Sequence, residues 1–325
     1  MPLRTQLALL TAGLAAATCL TAAGPAQAST SHACSPSVSI DRFSDALDKT
    51  TYENTVVGNF SALAVDRDGS LAALSDRSSL FRLDARTLKP RSVLPLSDEN
   101  GAALDSEGLV VDRDGTYLVS SETEPSVRRY SRTGEILDRL PVPDDLRVAP
   151  AGRGRPNGTF EGLTLLPDGR TLVASMEYPL SGDPADTVRL QTWKRHGSHF
   201  RLGVQYTYRT DPGLGVPEIR ATPDGRLLVL ERGFTAGVGN TVRLYLADPR
   251  NGMRKTLLTD LVTCPTLGAT AKQPQPNPLL DNIEAMTITG RTKNTLRVLL
   301  ASDDNENPAQ TTRFCYLRVR TTPFF

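Results

Sequence analysis

Four segments of the chain repeat one outline: NFSALAVDRDGSLAALSDR, DSEGLVVDRDGTYLVSSE, GTFEGLTLLPDGRTLVASME and GVPEIRATPDGRLLVLER. Each has a short apolar run, an Asp-Gly pair, a second apolar run and then an acidic residue. Asp-Gly between such runs is a strong hairpin signal, because a tight turn demands a backbone conformation that glycine adopts without strain. A fifth segment, DNIEAMTITGRTKNTLRVLLASDD, follows the same outline with a longer turn.

The lead positions Ser61, Glu107, Glu161, Glu218 and Glu284 recur at intervals of 46 to 66 residues. Behind each hairpin come further strand-like runs: SVRRYS and EILDRL after the second, TVRLQTW and FRLGVQYTYR after the third, TVRLYLA after the fourth, TRFCYLRVR after the fifth. Four strands per unit of about 50 residues is the signature of a β-propeller blade. The expected fold is all-β, a propeller of five or six blades of four antiparallel strands, with five repeats visible. The N-terminal SVSIDRF is placed to close the ring by pairing with the last blade. The Pro-rich CPTLGATAKQPQPNPLLD reads as a long surface loop.

Residues 1–28 read as a signal peptide. Arg4 supplies the positive end, LALLTAGLAAATCL the apolar core, and Ala26-Gln27-Ala28 a small-x-small cleavage site. Export with cleavage after Ala28 is expected, leaving residues 29–325 as a single secreted domain without a membrane anchor. Cys34, Cys264 and Cys315 then predict one disulfide and one leftover thiol, with three pairings open. The chain has 37 Lys plus Arg against 36 Asp plus Glu, which gives no general attraction to nucleic acid or anionic lipid. Any charge-based function has to come from local clustering, and a monomer acting on a small molecule is expected.

Opposed residues of an antiparallel hairpin have a constant sum of numbers. A turn centred on each Asp-Gly therefore sets Ser61 opposite Asp76, Glu107 opposite Glu122 and Glu218 opposite Glu231, while Met176 takes the place opposite Glu161, one residue short of Glu177. Like charges directly across a β-pair are destabilising. The first strand of each blade lines the central channel, so a ring is expected at one mouth: Ser61, Glu107, Glu161, Glu218 and Glu284, backed by Asp76, Glu122, Glu177, Glu231 and Asp303 or Asp304. Converging carboxylates either take up protons or bind a cation, and oxygen-only ligands in a flexible ring favour Ca²⁺. Arg77 and Arg232, beside Asp76 and Glu231, offer the competing arrangement of a ring neutralised by arginine.

Only His32, His196 and His199 are present, none near the repeated motifs, so a Ser-His-Asp triad is excluded there. No Gly-x-Ser-x-Gly elbow or P-loop occurs. The remaining chemistry is a cation with carboxylates and arginines. In it Glu122 or Glu177 activates water, Arg232 binds the reacting group, and Arg77, Arg155 and Arg232 clamp an anion.

Over residues 38 to 321 the sequence resembles the bacterial phytase-like family known for the esterase-like activity of phytase. The resemblance rests on DSEGLVVDRDGTYLVSSE, NGTFEGLTLLPDGRTLVASMEYPL, LLVLERGFTAGVGNTVRLYLAD and LLASDDNENPAQTTRF, in that order. It implies a secreted propeller with ester or phosphoric-ester hydrolase activity. The Asp-Asp-Pro-Ala motif of alkaline propeller phytases is absent. The ring of one Ser and several Glu is similar to the calcium site of five-bladed calcium-activated nucleotidases, and the Glu-Gly-Leu plus Asp-Gly pattern to calcium-dependent lactonases and gluconolactonases. The expected function is calcium-dependent hydrolysis of a phosphate ester at the channel mouth. The alternatives are a calcium-dependent lactonase or carboxylic-ester hydrolase, and a non-catalytic binding module with structural calcium.

Overall fold

Every Asp-Gly pair lies in a hairpin turn, but the turn is longer than the two-residue type, by one residue in blades 1, 2 and 4 and by two at Asp168-Gly169. The N–H of Gly69, Gly115 and Gly225 donates to the carbonyl three residues back, Asp66, Asp112 and Thr222, at 2.9–3.0 Å. The N–H of those same three residues donates to Ser70, Thr116 and Arg226 at 2.8 Å. Each glycine has φ between +80° and +90°, the left-handed position that ends a three-residue hairpin loop. The ladders that follow make up five four-stranded antiparallel sheets.

The computed structural model describes residues 32–321, and the expected signal peptide lies outside them. Blade 1 consists of Phe60–Val65, Leu71–Ser75, Ser79–Leu83 and Pro90–Pro95. Blade 2 is Ser106–Val111, Tyr117–Ser121, Ser126–Tyr130 and Ile136–Arg139. Blade 3 is Phe160–Leu165, Thr171–Met176, Thr187–His196 and His199–Arg209. Blade 4 is Gly215–Ala221, Leu227–Thr235, Gly239–Asp248 and Arg254–Asp260. Blade 5 takes Ile283–Arg291, Thr295–Ser302 and Phe314–Arg320 from the end of the chain, and Val38–Ser44 from its beginning as the outermost strand. The fold is a five-bladed propeller closed by the N-terminal strand, with no sixth blade among the described residues. No helix among them is long and apolar enough to cross a membrane.

The innermost strands touch in the cyclic order of blades 1 to 5 and back to 1. The core lies between neighbouring sheets. Phe60 and Phe81 of blade 1 meet edge to face at 6.0 Å, and Phe314 of blade 5 packs on Phe60 at 5.6 Å. In blade 3 the buried Trp193 packs on Phe160 at 5.8 Å and donates from Nε1 to Pro141 O. Such aromatic pairs add about 0.5–1.5 kcal/mol beyond the area they bury.

The Glu-Gly-Leu pattern has a packing reason. A Cβ on Gly108 would lie 2.5 Å from Glu161 O and 2.6 Å from Leu163 Cβ, and one on Gly162 would lie 2.5 Å from Ile219 N. Glycine here lets the next blade approach, so blades 2, 3 and 4 nest through these two positions.

The disulfide joins Cys34 to Cys264, and Cys315 is a buried free thiol. The bond ties the segment before the closing strand to the loop after blade 4. That loop is less superficial than its proline content implies. Leu279 and Leu280 are buried, and Arg313 holds Thr270 O and Pro278 O while gripping both Asp45 oxygens at 2.7 Å.

Candidate active site

In blades 1, 2 and 4 the extra turn residue shifts the ladder relative to a symmetric two-residue hairpin, whereas blade 3 keeps the symmetric register, Leu165 with Leu172, up to its bulge. Phe60 pairs with Ser75, Ser106 with Ser121, Phe160 with Met176 and Ile283 with Ser302, with a bulge immediately after the inner residue. Ser61, Glu107, Glu161 and Glu284 therefore lie in β-bulges and have no residue directly opposite. Glu107 does not face Glu122, Ser61 does not face Asp76, and Met176 faces Phe160 rather than Glu161. A bulge re-aims the side chain it carries, and this removes the like-charge pairing expected from the sequence.

The second strands carry the complementary ring. Five residues beyond the first ladder residue stand Asp76, Glu122, Glu177 and Arg232 in blades 1 to 4, and blade 5 adds Asp303 after Ser302. The N–H groups of Asp76, Glu122, Glu177 and Asp303 donate to the carbonyls of Asn59, Asp105, Thr159 and Asn282 at 2.7–3.0 Å. One backbone device thus fixes four acids at the same height. In blade 4 the ring member is Arg232, and Glu231 points elsewhere. Glu231 accepts from Tyr208 Oη and Lys255 Nζ at 2.5 Å and from Asp211 N at 2.7 Å, fully buried beside blade 3.

Glu218 also departs from the expected ring. Blade 4 makes one more ladder pair before its bulge than blades 2 and 3, so Glu218 pairs with Leu230. Its Oε2 lies 2.6 Å from Arg220 Nη2 and its Oε1 accepts from Ile219 N at 2.8 Å. Arg220 in turn donates to Leu63 O, Leu109 O and Met286 O at 3.1–3.2 Å, on the inner strands of blades 1, 2 and 5. This buried pair plugs the channel below the mouth. Ser61 is likewise committed, donating to Ser106 O at 2.6 Å as a strap between blades 1 and 2.

The mouth then gathers Glu107, Glu161 and Glu284 with Asp76, Glu122, Glu177 and Asp303, and Asp105 joins them. Asp105, Glu107 and Glu122 offer ligand oxygens within 4.8 Å of one another, and so do Glu122, Glu161 and Glu177. Glu122 belongs to both groups. Asp105 was not singled out from the sequence because it precedes the strand; its only signal is its place one residue before the ladder. Asn282, in the same position in blade 5, donates to Glu284 at 3.0 Å and Asp303 at 3.2 Å. Asp304 turns away, accepting from Lys49 and from Asn59 N.

One guanidinium sits among these acids. Arg232 Nη2 is 2.9 Å from Glu284 Oε1 and 3.2 Å from Glu177 Oε1. Arg77 is exposed on the rim, 3.7 Å from Asp76, and the exposed Arg155 stacks on the Tyr178 ring at 4.7 Å. Phe234, two residues beyond Arg232 on the same sheet face, stands 57% exposed on the blade 4 hairpin that extends past the mouth.

Burial raises the mouth carboxyls, and mutual repulsion adds to it. Asp76 and Glu122 are pushed up to about 7 and Asp303 to about 6, first by desolvation. Glu107, Glu161 and Glu284 stand well above the usual carboxylate range for the same reason, against the opposing pull of Arg232 on Glu284. Burial also raises Glu177, with Arg232 pulling it down. Among the described residues no histidine joins the mouth: His32 contacts Ile40 O, His196 is paired with His199 at the outer edge of blade 3, and His199 is exposed beside Asp138.

Fold and site together define a five-bladed propeller with an acidic, arginine-containing mouth above a plugged channel. The phytase-like family, described as esterase-like activity of phytase, matches residues 55–306, and the chain belongs to it. Among solved structures, a gluconolactonase from Xanthomonas campestris is 16% identical with a TM-score of 0.46, over 81% of this chain and 73% of that one. A protein of unknown function from Bacteroides caccae is 13% identical with a TM-score of 0.37, over 75% of this chain and 69% of that one. Comparison with curated proteins finds no match.

Proposed function

We propose that the mouth binds Ca²⁺ and that the protein hydrolyses a phosphate ester there. The observation that carries this reading is the pair of carboxylate groups joined through Glu122, in a mouth with one internal guanidinium. The donor set fits the ion: all its atoms are carboxylate oxygens, the hard ligands Ca²⁺ takes, without the nitrogen or sulfur that zinc prefers. Asp105, Glu107, Glu122 and Glu161 are the proposed ligands. Glu218 and Ser61, expected as ligands from the sequence, are assigned structural roles because their polar atoms are engaged elsewhere. A bound divalent cation supplies Lewis-acid polarisation of the ester and a more acidic water.

The chain's own groups account for the rest. Arg232 presents the guanidinium fork that suits a phosphoryl group. Glu177 lies beside it and takes a proton from water as the water oxygen attacks phosphorus; the bond from phosphorus to the ester oxygen breaks, and that oxygen leaves as the alcohol on receiving the proton from Glu177. Arg77 and Arg155, exposed at the rim, draw the anion in against the field of the carboxylates. The family description, with its esterase-like activity, also supports a carboxylic ester, and a lactone hydrolase using the same residues is the second reading.

Turnover of p-nitrophenyl phosphate, phytate and a lactone panel, with and without Ca²⁺, tests the reading. Calcium-dependent phosphatase activity lost in Glu177→Gln with calcium affinity retained is the expected result. Activity on lactones alone moves the substrate class. Activity on none, with calcium still bound, leaves a binding module and refutes the hydrolase.

A further inference from the structure

Blade 5 carries a second charged feature at the end of the propeller away from the mouth. Its inner strand runs from Ile283 at the mouth to Arg291, and the Asp-Gly turn of blade 1 lies at that far end. Between the two blades is a groove of about 1020 Å³ lined by Arg42, Arg297, Arg318 and Arg320 of blade 5 and Arg86 of blade 1. Asp41 is the one acid in its lining. On a protein with a formal net charge of +1 this is a local concentration, not a general excess.

The arginines are arranged against their own repulsion. Arg297 and Arg318 stand directly opposite each other on adjacent strands, where like charges destabilise the sheet. Relief within the chain is partial. Arg318 meets Asp41 at 2.8 Å, and Arg42 stacks over the Tyr316 ring at 3.5 Å. Arg297 and Arg86 have no carboxylate partner among the described residues. All five cations are arginine and none is lysine, the choice suited to forked contacts with oxyanions. Two sheet walls enclose the groove, which suits a chain rather than a flat lipid surface.

We propose that this groove binds a linear phosphate polymer, with several guanidiniums engaging successive phosphates. The site is separate from the acidic mouth and independent of the chemistry proposed there. Fluorescence anisotropy with labelled inorganic polyphosphate tests it, with chelator present so that the mouth takes no part. With about four contacts the plot of log affinity against log salt has a slope near −3, each contact contributing about 0.7–0.9. The double variant Arg297→Gln/Arg318→Gln is expected to bind at least about 10-fold more weakly with a slope smaller by about 1.5, and its melting temperature at low salt should be no lower than the parent's. The control Arg170→Gln/Arg254→Gln, on other blades, is expected to bind like the parent. Absence of salt-dependent binding, an unchanged double variant, an equal loss in the control, or equal affinity for polyglutamate or for anionic vesicles would each overturn the proposal.

Discussion

The guanidinium of Arg232 in blade 4 lies 2.9 Å from the Glu284 carboxylate of blade 5. It occupies the ring position that the four other blades fill with an acid just past their second strand. Blade 4 thereby turns a repulsive ring into one with a single internal cation. Arg232→Gln leaves Glu284 and Glu177 without that cation. The chelated protein is expected to lose about 3–5 kcal/mol, the cost of breaking a buried pair, with Arg232→Lys retaining much of it. Urea denaturation of both variants checks this, and equal losses would contradict a charge-based role.

Stability of the chelated protein depends on pH through the mouth. Asp76 and Glu122 titrate near 7 in the folded state, above their ordinary values, because burial disfavours the charge. The native state therefore binds more protons than the unfolded chain between about pH 4 and about pH 7, and stability falls as pH rises across that window. Between about pH 5 and about pH 8 the melting temperature without metal should fall by roughly 5 °C or more. Added Ca²⁺ should restore it at the higher pH. A melting temperature that ignores calcium at pH 8 would count against the metal.

By sequence Glu122 and Glu231 are equivalent backing acids, yet their substitutions should separate. Glu122 is shared by both carboxylate groups, so Glu122→Gln is expected to weaken Ca²⁺ binding by at least about 10-fold, in the range of a lost charged contact. Glu231→Gln should leave calcium affinity unchanged. It should lower stability instead, because Lys255 loses a buried counter-charge and the new amide NH2 replaces one of the two oxygens that accept from Tyr208, Lys255 and Asp211 N. Isothermal titration calorimetry and thermal melting of the two variants give the comparison.

Arg220 and Glu218 form the plug on the axis. Arg220→Met strands the Glu218 carboxylate and three carbonyls, for an expected loss of about 3–5 kcal/mol. The double variant Arg220→Met/Glu218→Gln should recover a large part of it, since a missing pair costs less than half of one. A double-mutant cycle measures the coupling. Additive losses would show that the two side chains act separately.

The architecture was legible because its determinants are local. Alternating apolar runs, Asp-Gly turns and a fixed spacing specify hairpins wherever they occur, and SVSIDRF has the pattern of a strand without a hairpin partner of its own. The site was legible only in part, for a reason of one residue. A left-handed glycine at the end of a three-residue loop moves the register by one, and each inner bulge moves it again. Glu107 and Glu122 therefore converge without facing each other, and Arg232 replaces Glu231 in the ring. Glu218 looked like Glu107 and Glu161 in its motif, yet one added ladder pair carries it to Arg220. Asp105 has no periodic signal, because its position depends on a carbonyl that Glu122 N–H reaches from another strand.

The strand Val38–Ser44 belongs to a sheet whose other three members are the last to be synthesised. The beginning of the polypeptide must wait for its end before either is covered. Until then Phe314–Arg320 has one bare edge, a template for pairing with a neighbouring molecule. A chain shortened at either terminus loses the latch of the whole circle, while new ends opened between blades and the old ones joined would keep it. Circular permutation should be tolerated where trimming is not.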